Sequence, residues 1–337
     1  MLRENARSII AGFVGSLLVL AAIYWFVGIN QTVSKLSMAD TGVLVLVFVG
    51  AVCWIVSWGL ALRTVLGVLG STISPLKATA IFSGVLFANN VTPFGQAGGE
   101  PISGLLISRA TDRRYETGLA AIASVDALNF IPSIVLAVCG VGYFFVTTTF
   151  VGDLRYAAGT VVVLALLVPM GFYLGWQHRY RLERATVGAL TPVVRFVRHT
   201  LLRREPLGQA AIERRIEGFF TAIERVGSTP RKLALALGLS ALGWLAQAAC
   251  LWLSLFALDH SVSLSVVLIA VPLGAIAGVT PLPGGLGGVD LVLIGVISAL
   301  VTINQPTIVA AVLIHRAAVY LFPTIVGGGI TAAIASR

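Results

Sequence analysis

Long apolar stretches recur along this 337-residue chain and are separated by short polar connections. A helix needs about 20 apolar residues to cross a hydrocarbon core of about 30 Å. Six stretches meet that requirement, which predicts six transmembrane helices. They cover residues 8–29, 42–66, 118–146, 156–176, 233–258 and 307–334.

Two further apolar stretches are interrupted near their centres by polar residues, Gly and Pro. Residues 76–109 are interrupted at residues 89–101, the first tip, and residues 264–301 at residues 280–290, the second tip. Each arm of the first stretch has about 9 to 14 residues, which is too short to cross a bilayer but long enough to reach its middle. The pattern predicts two re-entrant helical hairpins, whose irregular tips must line a cavity or be buried in protein.

The two tips share the order of their residue types. Each contains Thr-Pro, then a Gly pair, then an acid: Thr92, Pro93, Gly98, Gly99 and Glu100 in the first, and Thr280, Pro281, Gly287, Gly288 and Asp290 in the second. A span, a hairpin and a span would then occur twice in opposite orientation, as in transporters built from inverted repeats. The alternative is a chance coincidence of helix-breaking Gly and Pro.

Composition excludes a water-soluble fold, because 57% of residues are hydrophobic, only 11% are charged and the mean hydropathy is +0.95. We therefore expect an all-α polytopic membrane protein, with residues 1–337 forming a single integral membrane domain. Cys53, Cys139 and Cys250 all lie inside predicted spans, and an odd count with this spacing indicates neither a disulfide framework nor a metal site. No cofactor is expected.

The net charge of +9 is concentrated in one connection, since twelve of the 23 Lys and Arg lie within residues 177–232. This is the positive-inside pattern of a membrane protein, and no nucleic-acid-binding motif accompanies it. It places both termini in the cytoplasm and predicts a plasma-membrane protein. It also favours the hairpins, because eight full spans would strand the cluster Arg109, Arg113 and Arg114 outside.

The basic connection contains one amphipathic pattern. Its apolar residues at helical spacing are Ile212, Ile216, Phe219, Phe220 and Ile223. The pattern predicts a helix that lies on the membrane surface beside anionic lipids, or one that packs against another subunit.

The tips carry the first group of candidate site residues. The second arm of each hairpin begins at its tip, so its free N–H groups and positive dipole end would face an anionic group at mid-membrane. The candidates are Asn89, Asn90, Thr92, Pro93, Gly98, Gly99 and Glu100 in the first tip, and Thr280, Pro281, Pro283, Gly284, Gly285, Gly287, Gly288 and Asp290 in the second. Glu100 and Asp290 have two roles open to them, capping of a first helical turn or participation in transport.

Charged side chains at membrane depth are costly and mark functional sites. Arg316 lies deep in the last predicted span, where it is either a phosphate clamp or the structural partner of Asp290 or Asp126, and both roles can coexist. Asp126 is either a proton-coupling acid or a group that forms a hydrogen bond between two helices. His315 is expected to face a different neighbour from Arg316, because adjacent residues point about 100° apart around a helix.

These residues resemble the transmembrane region of lysylphosphatidylglycerol synthases, also called flippase-like integral membrane proteins. The resemblance covers nearly the whole chain, and its most specific part is the run from Pro281 to Gly288, followed by Asp290 and by Arg316. It implies movement of aminoacylated or glycosylated phospholipids between leaflets, with the tips and Arg316 along the headgroup path. The chain departs from the family in having Asp where Glu is usual and no Arg shortly before Asp126.

The leading functional hypothesis is therefore a flippase-like protein that translocates or admits polar or anionic lipids through a site between the hairpins. Two alternatives remain: an accessory subunit for a lipid synthetase or glycosyltransferase, and a membrane-embedded transferase acting on a lipid carrier. The pattern shows no nucleophile–base pair, so we expect no enzyme activity.

Overall fold

A computed structural model describes residues 27–147, 209–278, 280 and 282–335, together with the isolated positions 21, 25, 170 and 177. Throughout this part of the chain the secondary structure is helical, which confirms the all-α fold class. Nearly all of the predicted spans 8–29 and 156–176, and residues 178–208 of the basic connection, lie outside the described residues.

Eleven α-helices are assigned in the described residues. They are α1 (Ile29–Ser37), α2 (Thr41–Val68), α3 (Pro75–Val91), α4 (Gln96–Thr111), α5 (Tyr115–Thr147), α6 (Gln209–Gly227), α7 (Pro230–Phe256), α8 (Leu264–Ala277), α9 (Gly288–Leu300), α10 (Gln305–Arg316) and α11 (Phe322–Ala335). A 3₁₀ turn, Pro283–Gly285, precedes α9, and a π-helical turn, Ala317–Leu321, joins α10 to α11.

Five described segments are long and apolar enough to cross a membrane. Four of them match predicted spans: Thr41–Val68, Tyr115–Phe144, Pro230–Phe256 and Gln305–Ile334. The fifth, Pro283–Leu300, is the second arm of the second predicted hairpin together with part of its tip.

Only part of this fifth segment is regular helix. Gly284 and Gly285 have positive φ angles, and α9 itself has 13 residues, which extend about 20 Å. Re-entrance of this arm into a bilayer stays a prediction, as does the inverted repeat.

Several helices begin at residues that cap them. Asp40 accepts a hydrogen bond from the Val43 N–H at 2.8 Å, and Asn304 accepts one from the Thr307 N–H at 3.0 Å. Ser74 caps α3, whose first residue is Pro75. These side chains satisfy N–H groups that have no partner within the helix, so short polar sequences fix where the apolar helices start.

Helices α2 and α7 pack against each other as an antiparallel pair. The Trp58 indole N–H donates to the Ser240 carbonyl at 3.1 Å, and the Asp40 N–H donates to the Ala257 carbonyl at 2.9 Å. Gly243 allows close packing, since a Cβ there would lie 2.0 Å from Trp58 Nε1. The C-terminal ends of α2 and α7 are therefore at opposite ends of the bundle.

Helices α3 and α4 form one antiparallel helical hairpin. Gly99 packs against Asn89 so closely that a Cβ on it would lie 2.7 Å from Asn89 Cα. Farther from the tip, a Cβ on Gly84 would lie 2.5 Å from Leu106 Cδ2. Helices α8 and α9 pack together in the same way, with Gly274 against Leu293.

The two hairpins start at opposite ends of the bundle and meet at their tips. Helix α3 follows α2 and helix α8 follows α7, whose C-terminal ends lie at opposite ends. A Cβ on Gly95 would lie 2.7 Å from the Gly278 carbonyl oxygen, and one on Gly284 would lie 3.0 Å from Asn90 Cα. The tip contact thus joins backbone to backbone.

The predicted amphipathic helix of the basic connection is present as α6. It packs mainly against α5, with Val226 buried and Phe219 and Phe220 half-buried. Part of its apolar side is thereby covered by protein. Its attachment to a membrane surface stays a prediction.

Candidate functional site

Arg316 and Asp290 form an ion pair where the second tip meets the last helix. Arg316 Nε lies 3.3 Å from Asp290 Oδ1, and the two side chains are 11% and 6% exposed. Arg316 Nη2 also donates to the Gly284 carbonyl at 3.4 Å. Of the two carboxylates considered from the sequence as structural partners of Arg316, Asp290 is the one that it pairs with.

Asp290 also caps the helix on which it lies. Its Oδ2 accepts a hydrogen bond from the Gly287 N–H at 2.8 Å, while its Oδ1 faces Arg316. The capping role predicted for Asp290 is therefore present together with the ion pair. Glu100 differs, because α4 begins at Gln96 and Glu100 is its fifth residue, beyond the first turn.

Tyr320 connects the ion pair to the first tip. Its ring lies under the guanidinium, with Arg316 Cζ 4.6 Å from the ring centroid, and its hydroxyl donates to the Asn90 carbonyl at 3.1 Å. The π-helical turn Ala317–Leu321 follows Arg316 directly. Single π turns of this kind occur often at functional sites.

The side chain of Asn90 forms hydrogen bonds that join the first tip to the last helix. Its Nδ2 donates to Thr324 Oγ1 at 2.8 Å and to the Tyr320 carbonyl at 3.3 Å. Sequence reasoning selected Asn90 but missed Tyr320 and Thr324. Their spacing could have indicated them. Tyr320 and Thr324 stand four and eight positions after Arg316, so on a helix they lie near the same face as Arg316.

Several other candidates surround the same contact between the tips. Thr92 Oγ1 donates to the Ala88 carbonyl at 2.7 Å, and Gly98 packs on the Pro93 carbonyl. Buried Asn89 Oδ1 and Thr280 Oγ1 have no hydrogen-bond partner among the described residues.

In the second tip, Pro283 and Gly285 are buried in the turn before α9, and Gly288 packs against Thr280. Pro281 lies outside the described residues.

Asp126 lies apart from the ion pair, on α5. It is 7% exposed and interacts electrostatically with Glu100 and Gln96 of α4. Its Oδ2 has no hydrogen-bond partner in the described part of the chain. Buried His315 does not share the Arg316 contacts, and its Nδ1 likewise lacks a described partner.

No group of three or more His, Cys, Asp or Glu within the described ranges could hold a metal ion. The polar groups at and beside the tips are instead a guanidinium, two carboxyl groups, amides, hydroxyls and backbone N–H groups. Such groups can bind a charged organic headgroup through hydrogen bonds and ion pairs.

The helical fold, with an ion pair between its second broken segment and its last helix, defines a polytopic integral membrane protein with a polar site inside an apolar bundle. The chain belongs to the family of the lysylphosphatidylglycerol synthase TM region, whose model matches residues 9–327. This confirms the resemblance found in the sequence.

Two relatives are similar over nearly their full length. A UPF0104 membrane protein of Methanothermobacter thermautotrophicus is 26% identical over 97% of this chain and 93% of its own. A UPF0104 membrane protein of Pyrococcus horikoshii is 23% identical over 94% of this chain and 93% of its own. Both are described as membrane proteins, in agreement with the fold.

Proposed function

We propose that this protein moves polar or anionic lipids between the two leaflets of the plasma membrane. The headgroup passes between the first and second tips near the middle of the bilayer, while the acyl chains stay in lipid. The observation that carries the proposal is the meeting of two broken hairpins, from opposite ends of the bundle, beside Arg316.

The lengths of the four arms support the midplane position. Their helices have 17, 16, 14 and 13 residues, which corresponds to about 20 to 26 Å. Each is shorter than a hydrocarbon core of about 30 Å. In the proposal both arms of a hairpin return to the side from which they came, and the termini are cytoplasmic.

The donors at the tips support recognition of phosphate. A guanidinium presents a planar fork that matches two phosphate oxygens. Helix α4 has no side-chain cap at its N-terminus, where Gly95 has a φ angle of 53°. Gly95 therefore offers no side chain to its first N–H groups, and the positive dipole end there favours an anionic group.

Asp290 explains how Arg316 is stabilised between transport events. An unpaired guanidinium at membrane depth is unfavourable, and the ion pair supplies its counter-charge. A headgroup phosphate would take over this role on arrival. The proposed activity makes and breaks no covalent bond, so the protein is not an enzyme in this proposal.

Reconstitution tests the proposal. The full chain is placed in liposomes containing phospholipids with a fluorophore on one acyl chain, and dithionite then bleaches the outer leaflet. We expect bleaching of nearly all the label with wild-type protein. Arg316→Ala should exchange lipid at least about tenfold more slowly, a change of about 1.4 kcal/mol in the barrier, whereas exposed Arg109→Ala should match wild type.

Two other outcomes would replace the proposal. Absence of exchange for every lipid, with folded protein confirmed by gel filtration, would favour an accessory subunit of a lipid-synthesising enzyme. A change in lipid mass would indicate a transferase.

A further inference from the structure

The ion pair between the second tip and the last helix is balanced in charge. Arg316 supplies one positive charge and Asp290 one negative charge, and both side chains are largely buried. A ligand that separates them must provide a new partner for each, because a buried ion that loses its counter-charge is strongly destabilised. The site therefore sets a condition on the net charge of its ligand.

The groups around this pair do not alter the balance. They include the Gly284 carbonyl, the Gly287 N–H and the Tyr320 ring, all of which are uncharged. The acid Asp126 interacts with Glu100 of α4.

The remaining titratable neighbour is His315, which is 3% exposed. We count it as a neutral imidazole, because a second buried cation directly beside Arg316 would be repelled. The charges of Arg316, Asp290 and His315 then sum to zero, and the two further acids, Glu100 and Asp126 beside the first tip, supply no positive charge.

We infer that the headgroup this site accepts is zwitterionic, with a phosphate for Arg316 and an ammonium group for Asp290. Phosphoethanolamine and phosphocholine headgroups have this chemistry, because a short ethylene bridge joins their two charges. The inference rests on the proposed function and names its substrate class. A monoanionic headgroup would instead pair with Arg316 and leave Asp290 as an uncompensated buried charge.

Tyr320 provides a second reason for an ammonium group. Its ring already binds the Arg316 guanidinium at 4.6 Å, and its hydroxyl is within the electrostatic influence of both Arg316 and Asp290. Aromatic faces attract quaternary ammonium groups. When a phosphate draws Arg316 away, the ring face and the Asp290 carboxylate together form a site for the ammonium end.

The experiment compares headgroups in one assay. Liposomes of constant composition receive a trace of acyl-labelled phosphatidylcholine, phosphatidylethanolamine or phosphatidylglycerol, and leaflet exchange is measured by dithionite bleaching at low and high salt. The salt comparison separates attraction at the membrane surface from selection at the buried site. We expect wild-type protein to exchange the two zwitterionic lipids about tenfold faster than phosphatidylglycerol, a difference of about 1.4 kcal/mol.

Charge variants should change the preference in opposite directions. Asp290→Asn retains an oxygen that can accept from the Gly287 N–H but leaves the site with one positive charge, so phosphatidylglycerol should become the faster lipid. Arg316→Gln leaves one negative charge and should slow phosphatidylglycerol most. The matched controls are Asp259→Asn and Arg109→Gln, two exposed positions that should keep the wild-type ratio.

The outcomes separate the inference from the proposed function. Equal or faster exchange of phosphatidylglycerol by wild-type protein would overturn the zwitterion inference and leave lipid transport standing. Absence of exchange with all three lipids would overturn lipid transport itself. If Asp290→Asn fails to fold, the ratio of exchange rates in wild-type protein and in Arg316→Gln still tests the zwitterion inference.

Discussion

At the scale of single residues, the largely buried Arg316 is held by three different kinds of contact. Asp290 supplies opposite charge, the Gly284 carbonyl accepts a hydrogen bond, and the Tyr320 ring supplies a π face. Asp290 in turn satisfies the Gly287 N–H. Arg316 and Asp290 therefore each make contacts besides their ion pair, and removal of either charged side chain disrupts more than one interaction.

This dependence predicts a large loss of stability in Asp290→Ala, of about 3 kcal/mol, because it leaves Arg316 without a counter-charge and the Gly287 N–H without a cap. The measurement is the free energy of unfolding in detergent by denaturant titration. Asp290→Ala combined with Arg316→Ala should recover part of the loss, since no buried charge then remains. A double variant as unstable as the sum of the singles would contradict the coupling.

At the scale of helices, the last segment, α10 to α11, contacts both tips. Arg316 at the end of α10 holds the second tip, and Tyr320 and Thr324 hold the first tip through Asn90. The π-helical turn Ala317–Leu321 lies between these attachment points. A movement of this turn would therefore change the contacts at both tips.

The attachment of the first tip predicts a local effect of Thr324→Val. Asn90 Nδ2 loses its closest acceptor, at a cost of about 1 to 2 kcal/mol in tip docking, so amide exchange in residues 88–99 should accelerate roughly five- to thirty-fold. Hydrogen–deuterium exchange with mass spectrometry measures this. Thr331→Val on the same helix is the matched control, because the Thr331 hydroxyl has no partner among the described residues. Equal acceleration in both variants would refute the attachment.

At the scale of the whole molecule, the antiparallel pair α2 and α7 determines where the hairpins begin. The pair is fastened by contacts at Trp58 and Asp40, and each of its two C-terminal ends leads into one hairpin. The two tips then meet backbone to backbone between these ends. This arrangement makes the topology of the hairpins testable from their exposed ends.

Cysteine labelling tests that topology. In a background without Cys53, Cys139 and Cys250, single cysteines replace Lys77 and Arg109 at the ends of the first hairpin, and Asp259 and Thr302 at the ends of the second. A membrane-impermeant maleimide should label the first two from the cytoplasmic side and the second two from the opposite side. Labelling of Lys77→Cys and Arg109→Cys from opposite sides would show that the first broken segment crosses the membrane.

The amino-acid sequence by itself determined the class of protein and the location of its irregular segments. Membrane insertion depends on about 20 consecutive apolar residues, and helix breaks depend on local Gly and Pro. Both can therefore be recognised within short stretches of the sequence. The broken tips and the position of Arg316 inside an apolar segment were accessible for that reason. The start of α4 was less so, because it depends on the positive φ angles of Phe94 and Gly95, which place Glu100 beyond the first turn.

Only the tertiary structure decided which of these residues meet. Asn90 contacts Tyr320 across 230 positions of sequence, and Arg316 pairs with Asp290 rather than with Asp126. Such pairings depend on the register and rotation of one helix against another, which close approaches such as Gly99 on Asn89 fix. Hydrophobic periodicity carries no information on that register inside an apolar bundle, since nearly every face of each helix is apolar there.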